Sequence, residues 1–236
     1  IACSTVILAG GVWSPIFARS LGLHLPQFMA FGTVGRVIAT GGSPMPMIST
    51  QRGVVFRPNN IGGYDLCRGL GYAPITPDAI RQMFSIGPAL RNLGSSIVPV
   101  LNGSTFMTFA RMPERWALDG PSPFETHRIL VPETMTVEVS DAVRDLASIF
   151  PAMKISAVAE SWAGALTSTP DNMPIISPVS AYPGLIVGSG FYFGLTMAPA
   201  AGEALADLAM GRKPGIDLTA YRFDRFNDGS PLVFRA

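Results

Sequence analysis

The segment from Val187 to Gly211, VGSGFYFGLTMAPAAGEALADLAMG, constrains the fold more than any other part of the chain. The apolar run 185–187 predicts a short strand, a glycine turn follows it, and apolar residues then recur at helical spacing. A strand, a glycine turn and a helix in this order form the unit that binds phosphates at a helix N-terminus. The glycines are spaced G-x-G-x-x-x-G, however, which is one residue longer than the pyrophosphate-binding fingerprint. The turn therefore calls for a different ligand or for none.

The composition bounds the class of protein. A chain of 236 residues can form one large domain or two small ones. Only 14% of the residues are charged and 48% are hydrophobic, with a mean hydropathy of +0.34, so more of this chain should be covered than in an ordinary monomer. A net charge of +1 without a basic cluster excludes nucleic acid as a partner.

The cysteines and histidines are few and scattered. Cys3 and Cys67 fit neither a disulfide framework nor metal-ligand spacing, which predicts free thiols in a reducing, cytoplasmic compartment. His24 and His127 stand alone and far apart. The sequence therefore predicts no metal site.

Two apolar regions are candidates for membrane segments by composition, and the pattern of each excludes it. The first residues, IACSTVILAGGVWS, predict a strand over 5–9 that is too short for a signal peptide or a membrane anchor. Because residue 1 is not Met, we expect a trimmed record or a cleavage product. The charge-poor stretch 161–202 is interrupted by glycines and five prolines, so it predicts a buried strand-and-loop region and no transmembrane segment.

The remaining pattern predicts an α+β (α/β) fold with a mixed sheet and helices laid against it. Helix 141–150 would be capped by Ser140, helix 79–93 would end at Gly94, and a polar loop would cover 112–132. A glycine-rich turn is expected over 59–72. Strands are expected over 27–40, 52–57, 97–109 and 155–162.

Four segments in this order carry a family resemblance: VILAGGVWSPIFARSLGLHLP (6–26), GVVFRPNNIGG (53–63), SWAGALTSTPDNMPII (161–176), and GLIVGSGFYFGLTMAPAAGEALADLAMG with YRFDRFNDGSPL behind it. Together they resemble the back portion of the D-amino-acid oxidase superfamily of FAD-dependent oxidoreductases, and especially members that oxidise secondary amines such as sarcosine, glycine-type or opine-type amino acids. The family's early G-x-G-x-x-G with its ribose-binding acid is not found here.

The resemblance implies a division of the chain. Residues 1–26 would end an FAD-binding domain, 27–160 would form a mostly antiparallel substrate domain, and 161–236 would return to the FAD-binding domain with a C-terminal helix. It also implies a partner, an N-terminal FAD-binding chain or subunit, and hence a processed enzyme or a hetero-oligomer. The high apolar content agrees, because the partner must cover a large face.

In the family, the late glycine turn lies against the isoalloxazine ring of FAD. The resemblance therefore implies cofactor contacts at Gly188, Gly190 and Gly194, where only a glycine backbone can approach a flat ring closely. The amides of Gly194, Leu195 and Thr196 would stabilise negative charge on the reduced ring, because helix starts supply unpaired donors and a positive dipole end. The alternative is an ordinary tight turn before a buried helix.

The early turn is treated in the same way. The resemblance implies that Gly10, Gly11 and Trp13 lie near the cofactor, where the chain leaves the first strand. The alternative is a strand-to-helix turn whose glycines serve only packing.

The resemblance implies substrate contacts at Arg57, Tyr64, Trp162 and Tyr192. Arg57 is equally compatible with an ion-paired surface residue, and Trp162 with a pocket wall or plain core. Relatives hold a substrate carboxylate with an arginine two residues after the glycine of the WAG-type segment or in the late glycine turn. This chain has Leu166 and Tyr192 at those places. If a carboxylate is bound, its anchor is Arg57, another arginine or a residue outside this chain; the alternative is a larger and less anionic substrate.

Two functions remain open from the sequence. The first is FAD-dependent oxidation of an amine or an N-substituted amino acid, D-amino acids included, to an imine by hydride transfer to the flavin. The second is a non-catalytic structural or assembly subunit of a flavoprotein complex. No catalytic acid or base stands out, and Asp171 in TPDNMP predicts a turn-forming Asx role instead.

Overall fold

The two ends of the chain meet in one small sheet. The computed structural model describes residues 2–41, 48–49, 53–69, 71–84, 97–117 and 119–234. Strands β1 (Val6–Leu8), β9 (Ile175–Pro178) and β10 (Leu185–Ser189) form a three-stranded sheet in the order β1-β10-β9. β1 runs parallel to β10, and β10 runs antiparallel to β9. The short apolar runs that predict strands near both ends are therefore confirmed as direct neighbours.

A larger sheet of seven strands is organised around the long strand β2 (Phe28–Thr40). β2 pairs on one side with β5 and β6 and on the other with β8, each time antiparallel, whereas β6 and β7 are parallel. The expected mixed, largely antiparallel sheet is therefore confirmed. Its other strands are β3 (Ile48–Ser49), β4 (Val54–Pro58), β5 (Gly63–Arg68), β6 (Gly71–Pro74), β7 (Ile97–Val100) and β8 (Lys154–Ser168).

Six helices connect these strands or cover them within the described residues. A 3-10 turn (Gly11–Trp13) leads into the first helix, and two more (Thr219–Tyr221 and Phe223–Phe226) follow the last. The helices are α1 (Ser14–Ser20), α2 (Pro77–Arg81), α3 (Gly103–Ala110), α4 (Pro123–Thr126), α5 (Thr136–Ile149) and α6 (Gly194–Ala209).

Helix α5 covers one face of the seven-stranded sheet. Its Leu146 is fully buried against Phe56 and Leu66 from the strands. The close approach depends on Gly35 in β2, where an added Cβ would lie 2.4 Å from Cγ1 of Val139. The core of this unit therefore lies on the α5 face, and the opposite sheet face is left for the cleft described below.

Two sequence predictions placed an element wrongly. The strand expected over 97–109 ends at Val100, because Asn102 accepts a hydrogen bond from the Thr105 amide (2.9 Å) and caps α3. The helix expected from Asp141 begins at Thr136, so Ser140 lies inside it and its hydroxyl donates to the Thr136 carbonyl.

Other boundaries also differ from the prediction. The glycine-rich stretch 59–72 contains β5 and the start of β6, and the polar loop 112–132 contains α4. Helix α2 ends at residue 81, and residues 85–94 of the expected longer helix lie outside the described residues. Strand β8 stays in the larger sheet up to Ser168, so the expected division at 160/161 falls within this strand.

That loop is fixed by a buried ion pair. The Arg225 guanidinium donates to both carboxylate oxygens of Asp171, at 2.7 and 3.0 Å. The same carboxylate accepts from the Thr169 hydroxyl (2.8 Å) and the Met173 amide (3.2 Å), so the Asx turn expected at Asp171 is confirmed. Burial disfavours ionisation, but the hydrogen bond and charge of Arg225 outweigh it, and the pKa of Asp171 lies below its ordinary value.

Substituting Asp171→Asn should lower the free energy of unfolding by about 3 kcal/mol at neutral pH, because it leaves a buried arginine unpaired. A carboxyl whose pKa is lowered by folding stabilises the fold above its unfolded pKa, about 4, and loses this effect as the pH falls through the folded value. Urea unfolding at several pH values should therefore show the wild type and the variant converging below about pH 4.

The control is Glu114→Gln, which breaks the exposed pair of Glu114 with Arg81 (3.1 Å). Exposed ion pairs contribute little to stability, so this variant should stay close to the wild type. Equal losses in both variants would contradict the role of the buried pair.

Candidate functional site

A cleft of about 270 Å³ opens on the face of the seven-stranded sheet that α5 does not cover. Its floor is formed by Gly32 of β2 and Gly164 of β8, which are directly paired. A Cβ added at either glycine would meet no atom within 4 Å. The two glycines therefore leave a flat, open strip of backbone on which a planar group could lie.

Apolar side chains form the walls of the cleft. Trp162 pairs with Val34 on one side of the glycine floor, and Leu166 pairs with Ala30 on the other. Trp162, one of the residues predicted to contact substrate, is half-buried in this wall. The alternation of β8 explains the arrangement, because residues 162, 164 and 166 point to the same sheet face.

Tyr192 enters the cleft from the loop before α6. It shares the cleft lining with Cys67 of β5, which pairs with Val34 of β2. Burial, assisted by the nearby Cys67, raises the pKa of Tyr192 above its ordinary value, so the phenol stays a neutral hydrogen-bond donor. Burial likewise raises the pKa of Cys67, which keeps this free cysteine as a thiol. Sequence reasoning missed Cys67 as a cleft residue.

A row of alternating charges crosses four strands at one end of the cleft. Arg57, Asp65, Arg36 and Glu160 are paired in this order from β4 to β8. Arg36 donates to Asp65 at 2.9 Å and to Glu160 at 3.0 Å, and its guanidinium carbon lies 5.0 Å from the centroid of the Trp162 ring. Burial opposes ionisation of Asp65, but the Arg36 guanidinium wins and lowers the pKa of this carboxyl.

The structure separates the two predicted substrate residues near this row. Arg57 lies at its outer end, with its side chain 66% exposed and 3.5 Å from Asp65. Tyr64 is buried on the α5 face, with its ring against Phe56 at 5.6 Å between centroids. Neighbouring residues of a strand point to opposite faces, so Tyr64 cannot share the cleft with Asp65 and is not part of the site.

Two glycines of the late turn are required by the fold itself. A Cβ at Gly188 would lie 2.6 Å from Leu205 of α6, and Gly190 has φ +79°, with Thr169 at 2.6 Å from its added Cβ. Gly188 thus allows α6 to pack on β10, and Gly190 turns the chain against the Thr169 loop. Neither glycine needs a ligand to explain it.

The start of α6 presents free backbone donors. The Thr196 amide donates to the Phe193 carbonyl at 3.1 Å, so the predicted role of Thr196 as an unpaired donor is wrong. The amides of Gly194 and Leu195 have no acceptor within the described residues, and Phe193 provides no side-chain cap. Leu195 is 98% exposed. An uncapped helix start of this kind suits an anion or a polar ring edge.

The early turn carries an unsatisfied polar atom. Gly11 has φ +54°, and the turn closes through the Trp13 amide and the Gly10 carbonyl at 3.1 Å. Beneath it, the Ser14 hydroxyl is fully buried and has no hydrogen-bond partner in the described part of the chain. Trp13 packs against the cluster around Ile16, so its placement is explained by packing.

Neither a membrane helix nor a metal cluster was found where the chain is described. No helix there is long and apolar enough to cross a bilayer. Across the same residues, no group of three or more His, Cys, Asp or Glu side chains could hold a metal ion.

The comparison with protein families decides the affiliation. The family model for FAD-dependent oxidoreductases matches residues 1–208. The chain belongs to this family. The resemblance to the D-amino-acid oxidase superfamily is thereby confirmed, and the mixed sheet and strand–turn–helix finish are the family's architecture.

Three relatives show how far the likeness extends. A glycine oxidase of Pseudomonas aeruginosa is 36% identical over 91 residues, which is 38% of this chain and 25% of that protein. A D-amino acid dehydrogenase of Chromohalobacter salexigens is 30% identical over 131 residues, or 55% of this chain and 30% of that protein. The solved L-amino acid deaminase of Proteus myxofaciens, in complex with anthranilate, is 30% identical with a TM-score of 0.85. It is matched over 95% of this chain and 50% of its own, so the chain spans half or less of these relatives.

We expect Gly164→Val to leave the fold intact and to block the cleft. The new side chain meets open space and a β-branched residue suits a strand, so the melting temperature should change by less than about 2 °C. Binding of any planar ligand to the floor should weaken at least about tenfold, as measured by ligand titration.

The matched control is Gly35→Val on the opposite face, where the added atoms collide with Val139. This variant should lose stability by about 1 to 3 kcal/mol through overpacking. The assignment of the two faces would be wrong if Gly164→Val were the more destabilising of the two.

Proposed function

We propose that this chain supplies the substrate cleft and the ring-facing turns of a flavoenzyme that oxidises an amine or amino acid to an imine by hydride transfer to FAD. One observation carries the proposal. The loop from Gly190 to Phe193 joins a glycine-floored cleft to a helix start with unpaired amides, so a flat ring can meet both at once.

The residues present fit the flavin. The Gly32–Gly164 strip offers a flat surface, the amides of Gly194 and Leu195 offer donors for a polar ring edge, and the buried Ser14 hydroxyl awaits a partner beside the early turn. Bound FAD would supply the hydride acceptor. The role of this chain is then to align the substrate, exclude water and place positive dipole ends near the ring.

The cleft favours a substrate with a large apolar group. Trp162 and Leu166 provide apolar walls, and Tyr192 adds one neutral donor. The relatives named for glycine, D-amino acids and L-amino acids act on amino acids, and one of them binds the aromatic carboxylate anthranilate. An amino acid with an aliphatic or aromatic side chain, N-substituted and D-configured ones included, therefore suits this site best.

Arg36 is the proposed anchor for the substrate carboxylate. Its guanidinium lies over the Trp162 ring at the wall of the cleft, whereas Arg57 lies far out on the row of charges. Two of its nitrogens are occupied by Asp65 and Glu160, and Nη2 has no partner within the described residues. Two carboxylates hold the guanidinium in a fixed orientation, and its Nη2 can still donate to a third carboxylate.

We propose that a further stretch of flavin-binding polypeptide completes the site. Strand β1 pairs with β10 on one edge, and no described strand covers its other edge, where Val6 and Ile7 are 42% and 40% exposed. An apolar edge strand that no other strand covers is a place where a further strand can pair. We assign it to an N-terminal FAD-binding portion in the same or a separate chain, the latter giving a hetero-oligomer. The free thiols of Cys3 and Cys67 favour a cytoplasmic location.

The test uses the protein purified together with its flavin-binding portion. A visible flavin spectrum should bleach under anaerobic conditions when an amino acid from a panel is added, the panel including glycine, N-methylated amino acids and both enantiomers of leucine, phenylalanine and tryptophan. A protein without flavin, or with flavin that no amine bleaches, would overturn the enzyme proposal. That result would favour the alternative of a non-catalytic assembly subunit.

Within this panel, Trp162→Ala should lower kcat/KM for the large apolar substrates by about 10- to 100-fold, because it removes about 1.5 to 3 kcal/mol of apolar contact. Glycine should be affected least. The control Trp116→Ala removes an aromatic ring that packs edge-on against Phe124, outside the cleft lining. The role of Trp162 as a cleft wall would be refuted if both variants lowered kcat/KM equally for the large apolar substrates and for glycine.

A further inference from the structure

A buried glutamine links the early and the late glycine turns. Gln27 lies just before β2, where the chain passes from the small sheet into the large one, and it is 5% exposed. Its side-chain amide nitrogen donates to the carbonyl of Gly11 at 2.8 Å. Its side-chain oxygen accepts from the hydroxyl of Ser189 at 2.6 Å.

The direction of these two bonds follows from the chemistry of the partners. The Gly11 carbonyl can only accept, so the NH₂ group of Gln27 must face it. The oxygen then faces Ser189, whose hydroxyl donates. The amide places a donor and an acceptor on two separate atoms at the end of the side chain. An ionised Glu has no donor and Met has neither a donor nor a strong acceptor, so neither can make both bonds.

The partners of Gln27 sit in the middle of the two turns. Gly11 has the left-handed backbone conformation of the early turn, and Ser189, 2% exposed, stands between Gly188 and Gly190 in the late turn. The side chain of Gln27 therefore spans the gap between two segments that the proposed flavin contacts.

The backbone around Gln27 is held as well. Gln82, also 5% exposed, accepts from the Gln27 amide at 3.0 Å and donates to the Leu25 carbonyl at 3.2 Å. The side chain of Gln27 thus projects from a fixed position. A buried network in which each of these groups is paired specifies one geometry, because a shift of either turn would leave a buried polar group unpaired.

We infer that Gln27 is a positioning residue that sets the separation of the two ring-facing turns and thereby tunes how tightly and at what potential the flavin is held. The inference rests on the proposed function. Gln27 acts through Gly11 and through the loop that Ser189 leads into, which ends at the free amides of Gly194 and Leu195. When the link is broken, these amides should stabilise the reduced ring less.

The experiment compares the flavin-loaded protein with two variants. Gln27→Met keeps the length of the side chain and removes both bonds, and Ser189→Ala removes one. We expect the dissociation constant for FAD to rise about tenfold in the first and about threefold in the second, as for lost buried hydrogen bonds. The midpoint potential should fall more in Gln27→Met than in Ser189→Ala. For Gln27→Met we expect a fall of about 30 mV, which is a tenfold change in the equilibrium constant of a two-electron reduction.

The control is Tyr72→Phe. Tyr72 is 4% exposed and its hydroxyl donates to the Glu133 carbonyl at 3.1 Å. Within the described residues, neither Tyr72 nor Glu133 lines the cleft or hydrogen-bonds to either turn, and the variant removes this one bond. It should lower the melting temperature as Ser189→Ala does and leave the FAD dissociation constant and the potential at their wild-type values.

The outcomes separate the inference from the proposed function. Wild-type protein that retains no FAD would overturn both. Wild-type protein that binds FAD, with Gln27→Met and Ser189→Ala matching Tyr72→Phe in potential and affinity, would overturn the positioning role alone. Because Ser189→Ala is the milder change, it keeps this comparison valid if Gln27→Met fails to fold.

Discussion

The pairing of β2 with β8 is the constraint on which the rest of the structure depends. The two strands are antiparallel neighbours from Phe28 opposite Ser168 to Thr40 opposite Lys154. This register places Gly32 opposite Gly164 and Val34 opposite Trp162, which creates the floor and one wall of the cleft. A slip of β8 by one residue would turn its Gly164 and Trp162 to the α5 face. The cleft is therefore a property of register, and local sequence does not encode it alone.

Much of the fold could be predicted from the sequence where a local pattern determined it. The apolar runs before Gly10 and before Gly188 indicate strands, and both strands are present. The Asx turn at Asp171 follows from one residue type beside two prolines. Asn102 shows the limit of this reasoning, because its capping bond ends an apolar run that otherwise has the composition of a strand.

The site was less accessible to prediction, because its geometry depends on distant parts of the chain. Tyr64 was assigned by its place in a motif, yet the face to which it points follows from its pairing with Val37. Gln27 bonds to groups 16 and 162 positions away, and no periodicity relates them. Arg36 offers one weak signal, the single charge in a long apolar strand. The open space beside Gly164 has no counterpart in sequence, because a packing glycine such as Gly35 looks the same.

The row of charges at one end of the cleft, formed by Arg57, Asp65, Arg36 and Glu160, alternates in sign. Its charges therefore largely cancel at long range. Such an arrangement has little monopole field and a strong local one. The local field is complementary to a zwitterion, which carries both signs on neighbouring atoms, more than to a simple anion or cation. Encounter with such a molecule gains little from long-range steering, so added salt should slow it only slightly.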